Sequence, residues 1–319
     1  MQERVQISAL SPAPHPAPGQ TAARRRALRW GRVRQRLIPY VFISPNIVLF
    51  TMFSFLPLLY AAYISLHDWS LIGDPEWLGL HNYVRLSRDP LFYKSLLNTL
   101  VYAASTVPTS MAIGLALAMA LNRRLPGRSL IRSIYFLPLV VSAVATGTIA
   151  AWMFNENYGV INALLVQLGL GRIAWLSTPQ WALPSLAIAT LWVRIGFNMV
   201  VYLAALQSIP SVYYEAARID GASAVSQFRH VTVPLLAPAT FLLLILNVIH
   251  SFQVFDLIYV MTGGGPGFST TMVVQYIFKS AFVTSEMGYA SAMGVALYGI
   301  ILVFTIVQWR ASRQAESVL

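Results

Sequence analysis

The chain has 319 residues, of which 57% are hydrophobic and only 10% charged. A soluble domain carries roughly 25% charged residues, so this composition and a mean hydropathy of +0.62 exclude an ordinary water-soluble fold and point to lipid around much of the chain. The net charge of +11 does not read as a nucleic-acid surface, because arginines crowd just ahead of the first apolar run, where basic residues set membrane orientation and meet anionic lipid. The absence of cysteine excludes disulfides, thiolate metal sites and cysteine nucleophiles.

Residues 1–36 form a Pro- and Arg-rich arm. Its first part, with "SPAPHPAPGQ", has no apolar core of its own and reads as disordered. No signal peptide is expected, since the first apolar stretch starts only near Tyr40 and is too long for a cleavable core. A spanning helix needs about 20 mostly apolar residues. Six segments meet that length, at about 40–66, 97–121, 131–154, 182–206, 234–260 and 286–309. Together they define a six-span domain over residues 37–310, followed by a short tail over 311–319. The second, "TLVYAASTVPTSMAIGLALAMAL", is rich in small residues, which let helix backbones approach in lipid. Pro108 and Pro138 are expected to kink the second and third spans.

Charge fixes an orientation. With the N-terminus inside, the cytoplasmic segments hold 16 lysines and arginines and the external loops hold 5, with Arg194 left within span four. The positive-inside rule therefore predicts a multi-pass membrane protein with both termini in the cytoplasm, and the excess of arginine over lysine, 20 to 2, points to a bacterial cytoplasmic membrane.

Between spans four and five lies the densest polar stretch, "YYEAARIDGASAVSQFRHVTVPLLAP", residues 213–238. "VYYEAARI" can form two helical turns, and Asp220-Gly221 permits the left-handed residue that ends a helix. A second short helix, "SAVSQFRH", is expected to give way at Pro234. Tyr213, Tyr214 and Phe228 supply apolar anchors. The result is a knob on the cytoplasmic face, either an ordinary solvated loop or a helix that docks in a partner's groove.

Glu215-Ala216-Ala217, then Asp220-Gly221-Ala222, Phe228, Val231 and Pro234 closely resemble the "EAA" loop of permease subunits in binding-protein-dependent ABC importers. "SFQVFDLIYVMTGGGPGFST", residues 251–270, and "PYVFISPNIVLF" with "PLLYAAYISLHDW" and "WLGLHNYVRL" resemble the carbohydrate-uptake branch, of the maltose and glycerol-3-phosphate permease type. The resemblance covers the chain from about residue 37. It implies an all-α integral membrane protein, a six-helix permease bundle with a cytoplasmic coupling helix between spans four and five. It also implies ATP and magnesium on two separate ATPase subunits, a second homologous permease chain in a heterodimeric core, and an extracytoplasmic binding protein that delivers the solute. Coupling to the ATPase would fall to Glu215, Ala216, Ala217, Asp220, Gly221, Ala222, Phe228 and Pro234.

The sequence is consistent with ATP hydrolysis elsewhere. A phosphate-cradling loop needs a lysine after a glycine-rich turn, and neither lysine, Lys94 or Lys279, follows a glycine. The "TGGGPG" run, with Gly263 and Gly264, reads as a flexible turn or an external gate. The five histidines show no metal-ligand spacing, so neither metal binding nor catalysis is expected.

Polar residues within spans face the bundle or a wet cavity. Arg194 and Asn198 lie one turn apart on span four. Span five carries Asn247, His250, Gln253 and Asp256. Arg194, Asn198, His250 and Gln253 are candidates for the solute path, for a sugar, polyol or glycerol-phosphate compound. In the competing structural reading, Arg194 pairs with a carboxylate and the amides bond neighbouring helices. Asp256, near the external end of span five, is a candidate gate residue or helix-end cap. The alternative function is an ion-driven secondary carrier, which would want carboxylates in mid-membrane and an internal repeat. A membrane enzyme would need His, Asp or Glu clustered at one interface.

Overall fold

The computed structural model describes residues 38–123 and 126–316, so the expected N-terminal arm, Arg124 and the last three residues of the tail lie outside the described residues. The chain divides into two units, Met1–Tyr60 and Ala61–Leu319.

The first apolar run is one long helix, α1 (Ile38–Ile64), with side chains exposed along most of its length. Its one irregularity is a π turn at Thr51–Phe55, which ends beside Pro57, whose missing amide removes a regular helical bond. Beyond α1 a two-stranded ladder pairs β1 (His67–Asp68) with β2 (Glu76–Trp77), His67 opposite Trp77. Helix α2 (His81–Leu86) follows and leads into α3 (Pro90–Asn122), a span of 33 residues. Asp89 starts α3 as an N-cap, its Oδ1 accepting from the amides of Leu91 and Phe92. Pro108 sits inside α3 without interrupting it.

The third span departs from the expected single helix. It consists of α4 (Arg128–Val140) and α5 (Ala143–Met153), set at 103° to one another. The break is not at Pro138, which lies inside α4, but at Val141-Ser142. Val141 is extended, and Ser142 restarts the helix by accepting from the amide of Ala145 at 3.2 Å. A serine N-cap thus decides the geometry where a proline kink was expected.

Helix α6 (Val160–Gln167) packs beside a loop held by Asn162, whose amide bridges Ile173 and the Trp175 indole. Span four is α7 (Pro179–Ser208). It makes its most extensive contact with α3 and a second with α4. Both contacts are close because glycines sit at the crossings. A Cβ on Gly114 would come within 2.7 Å of the Asn198 Cβ, and one on Gly196 within 1.9 Å of the Tyr135 carbonyl oxygen. In lipid, where apolar burial drives association weakly, such close backbone approach supplies the packing. Val107, Met111, Met199, Tyr202 and Leu243 fill the core around these crossings.

Helices α8 (Ser211–Ile219) and α9 (Ala224–Leu235) follow span four. Helix α9 gives way one residue past the expected Pro234. It continues to Leu235 through a π turn at Phe228–Thr232, then bends by 64° into α10 (Ala237–Phe252). The fifth span is also shorter than expected. It ends at Phe252, and the rest of the apolar run forms a separate helix, α11 (Asp256–Met261), after a turn at residues 253–255. A further helix, α12 (Val273–Val283), lies where only loop was expected, before the sixth span, α13 (Met287–Glu316). At that end of the bundle Asp89 also accepts from the hydroxyls of Tyr276 and Tyr289, tying α3 to α12 and α13. Arg85 stacks 4.0 Å over the Tyr289 ring and pairs with both oxygens of Glu286.

Candidate functional site

The polar stretch between spans four and five folds as two short helices joined by a tight turn. Its geometry follows from the sequence. Asp220 caps α8, and Gly221 takes the left-handed conformation with φ of +77°. The Ala222 amide then donates to the Ala217 carbonyl at 2.8 Å and the Gly221 amide to the Arg218 carbonyl at 3.0 Å. These are the two bonds of a Schellman ending, which needs glycine at this position. Gln227 Nε2 closes the turn onto the Ala222 carbonyl, and the Tyr214 and Thr232 hydroxyls bond at 3.1 Å across the two helices.

The knob exposes apolar side chains among charged ones. Ile219 is 86% exposed and Val225 75%, with Val212 and Tyr213 also exposed. Glu215, Ala216 and Asp220 are exposed, and neither carboxylate makes an ion pair among the described residues. Phe228 is half-buried and does not lead the exposed face. It lines a cleft of about 680 Å³ with Met119, Arg123, Leu206, Arg218 and Thr232. Pro234 is half-buried within α9.

A second polar feature lies within the bundle, between α7 and α10. Arg194 is buried, and its Nε and Nη2 donate to Asn247 Oδ1 at 3.1 and 2.9 Å. Asn247 Nδ2 donates to Asn198 Oδ1 and to the Leu243 carbonyl, both at 2.8 Å. The guanidinium also lies 4.9 Å from the Phe197 ring centroid. The carboxylate that the competing structural reading gave Arg194 is replaced by an amide, so among the described residues the positive charge is hydrogen-bonded without an ion pair.

Arg194 and His250 line a cavity of about 220 Å³ with Tyr102, Thr146, Thr190 and Leu257. Val141 at the break in span three and Ala143, the first residue of α5, line it too. Non-helical backbone at membrane depth is tolerated where it is buried in protein or lines a cavity, and Val141 lines one here. Asn198 lies behind Arg194, fully buried, with its Nδ2 unpartnered. Gln253 is exposed in the turn after α10 and does not line the cavity. Asp256 is exposed in the first turn of α11, where a negative charge suits the helix dipole.

Sequence reasoning overlooked Tyr102 and Thr190, whose hydroxyls bond at 2.6 Å on the cavity wall. A signal was present. Thr190 precedes Arg194 by four residues, the same spacing that groups Arg194 with Asn198. Gly263 and Gly264, with φ of +60° and +94°, lie in the loop after α11. Among the described residues no group of three or more His, Cys, Asp or Glu side chains is placed to hold a metal ion.

The profile of a family described as binding-protein-dependent transport system inner membrane component matches residues 110–314. The trehalose/maltose transport system permease protein of Thermococcus litoralis is 36% identical over 283 residues, covering 88% of this chain and 96% of that protein. The sulfoquinovosyl glycerol transport system permease protein of Agrobacterium fabrum is 34% identical over 290 residues, covering 90% and 94%. Among solved structures, a chain of a bacterial ABC transporter involved in import of the acidic polysaccharide alginate shares the fold, with a TM-score of 0.77 at 24% identity over 89% of this chain and 98% of that one.

Proposed function

This chain belongs to the family of binding-protein-dependent transport system inner membrane components, and from that premise we propose that it forms half of the path by which an ATP-driven importer moves a sugar, polyol or glycerol-phosphate-type solute. The observation that carries the proposal is the knob of residues 211–235, a helical element with exposed apolar side chains. In this reading α8 docks in a cleft of a separate ATPase subunit, with Ile219 and Val225 as apolar contacts and Glu215 at the rim. ATP and magnesium belong to that partner. Two ATPases need two knobs, so a second permease chain completes the core, and a binding protein delivers solute on the opposite side, with both termini of this chain in the cytoplasm.

The cavity beside Arg194 is the proposed solute path. Arg194, Tyr102 and Thr190 offer donors and acceptors, and Val141, Val193 and Leu257 supply apolar wall. That mixture suits a hydroxyl-rich molecule with apolar ring faces. The saccharide and glycoside named for the two relatives support the same class. His250 is retained in this path, Gln253 is left out of it, and Asn198 is a support for Arg194 through Asn247.

The test is reconstitution of the chain with its ATPase, second permease and binding protein in proteoliposomes. ATP-dependent uptake is expected, and Glu215→Lys with Ile219→Asp is expected to remove the ATPase from the complex while leaving the chain folded. A chain that purifies alone and carries solute down an ion gradient without ATP would overturn the reading in favour of a secondary carrier.

A further inference from the structure

The loop after α11 carries polar chemistry that the interior cavity does not use. Residues 262–271, "TGGGPGFSTT", are tightly folded. Asn98 Nδ2 donates to the carbonyls of Phe268 and Thr271, each at 3.0 Å. Thr271 Oγ1 donates to the Gly264 carbonyl at 3.0 Å and Thr270 Oγ1 to the Gly265 carbonyl at 2.7 Å. A Cβ on Gly264 would lie 2.7 Å from Thr271 Oγ1 and 2.9 Å from Gln275 Oε1, so the backbone is pressed directly onto that glutamine.

Gln275 is only 6% exposed, and its Oε1 has no hydrogen-bond partner. Buried acceptors are paired in the great majority of cases, so an orphan asks for a missing donor. Gln275 lines a cavity of about 200 Å³ with Tyr259, Phe268, Tyr276, Phe278 and Lys279. The Lys279 ammonium lies 5.4 Å from the Phe268 ring centroid and makes no ion pair among the described residues. Helix α11 contributes to both cavities, Leu257 to the one beside Arg194 and Tyr259 to this one.

We propose that this loop cavity is a second saccharide subsite, which takes one hydroxyl-bearing ring of the solute apart from the cavity beside Arg194. The proposal rests on the import reading above. A sugar ring presents an apolar C–H face and a rim of hydroxyls. The aromatic walls receive the face, Gln275 Oε1 accepts from one hydroxyl, and Lys279 donates to the oxygen of another.

The experiment uses the full chain assembled with its ATPase and second permease in nanodiscs. Binding of glucose, trehalose, maltose and maltotriose is measured by saturation-transfer NMR. At least one neutral sugar is expected to bind. Gln275→Leu and Lys279→Met should each weaken it about five- to tenfold, while Arg194→Gln lowers uptake without abolishing this binding. Thermal stability separates a ligand role from a structural one. Gln275→Leu removes an unpaired buried acceptor, so it should leave the midpoint unchanged or raised, whereas a structural glutamine would lower it. Unchanged sugar binding in both loop variants, with uptake intact, overturns the subsite alone. The subsite is likewise overturned if the loop variants lose binding only together with stability. Failure of every sugar both to bind and to be taken up overturns the saccharide reading and this inference with it.

Discussion

Substituting Gly196 by alanine adds one methyl group where α7 meets α4. The new Cβ would lie 1.9 Å from the Tyr135 carbonyl oxygen, 2.7 Å from its carbon and 3.2 Å from the Phe136 Cα. An ordinary carbon–oxygen contact is about 3.3 Å, so the helices must separate locally by about 1.4 Å. The obstructing atoms are backbone, and no rotamer change relieves them. Overpacking of this kind costs about 1–3 kcal/mol. Alanine returns about 1 kcal/mol through helix propensity. With the clash at the upper end of its range, the net expectation is a loss of about 2 kcal/mol.

The internal control is Gly294→Ala on α13, where nothing lies within 4 Å of the added atom. There the propensity gain stands alone, and stability should hold or rise by up to about 1 kcal/mol. Both variants are compared by thermal unfolding of the purified chain in one detergent. Because α4 carries Leu139, on the wall of the cavity beside Arg194, Gly196→Ala should also reduce solute uptake. Equal stabilities for Gly196→Ala and wild type, with a loss in Gly294→Ala, would refute the packing argument.

Other perturbations test the polar clusters. Asn247→Leu leaves the buried Arg194 guanidinium without its acceptor and should cost about 2–3 kcal/mol by the same melt, whereas Asn247→Asp restores an acceptor and should recover much of that stability. Burial pushes the Asp89 carboxyl up, but the hydroxyls of Tyr276 and Tyr289 and the amides of Leu91 and Phe92 outweigh it and hold it below its usual value. A depressed carboxylate contributes stability that is fully present above its unfolded pKa of about 3.9 and is lost as pH falls through the lower folded value. Asp89→Ala should therefore cost about 1 kcal/mol at neutral pH through the lost cap alone, and it should flatten the acid limb of a pH–stability profile. Gly221→Val, at φ of +77°, should strain the knob by about 1–2 kcal/mol and weaken ATPase association measured by co-purification.

The places where sequence reasoning succeeded and failed have one physical cause. Hydrophobic length is additive along the chain, so the apolar runs that become α1, α3 and α7 are visible as runs. Local turn chemistry is equally legible, because Asp220-Gly221 dictates a Schellman ending without help from distant residues. What composition alone does not reveal is where an apolar run ceases to be helical. Residues 131–154 and 234–260 are both hydrophobic enough to span, yet one breaks at Val141-Ser142 and the other ends at Phe252. In both cases hydropathy hides a change in backbone conformation, since Val, Ala and Phe are apolar in any conformation. Ser142 was the available clue, a hydroxyl able to cap a helix start inside a lipid-length segment. A break in a spanning helix leaves amides and carbonyls without helical partners, and lipid offers none. Such a break therefore persists where protein or water can take those groups, and Val141 and Ala143 both line the cavity beside Arg194. The same reasoning explains why Arg194 and Asn247 each stand out as polar residues in their spans while their pairing does not. An uncompensated charge in a span announces itself, whereas the neutral Asn247 that holds it is recognisable as its partner only when α7 and α10 are brought together.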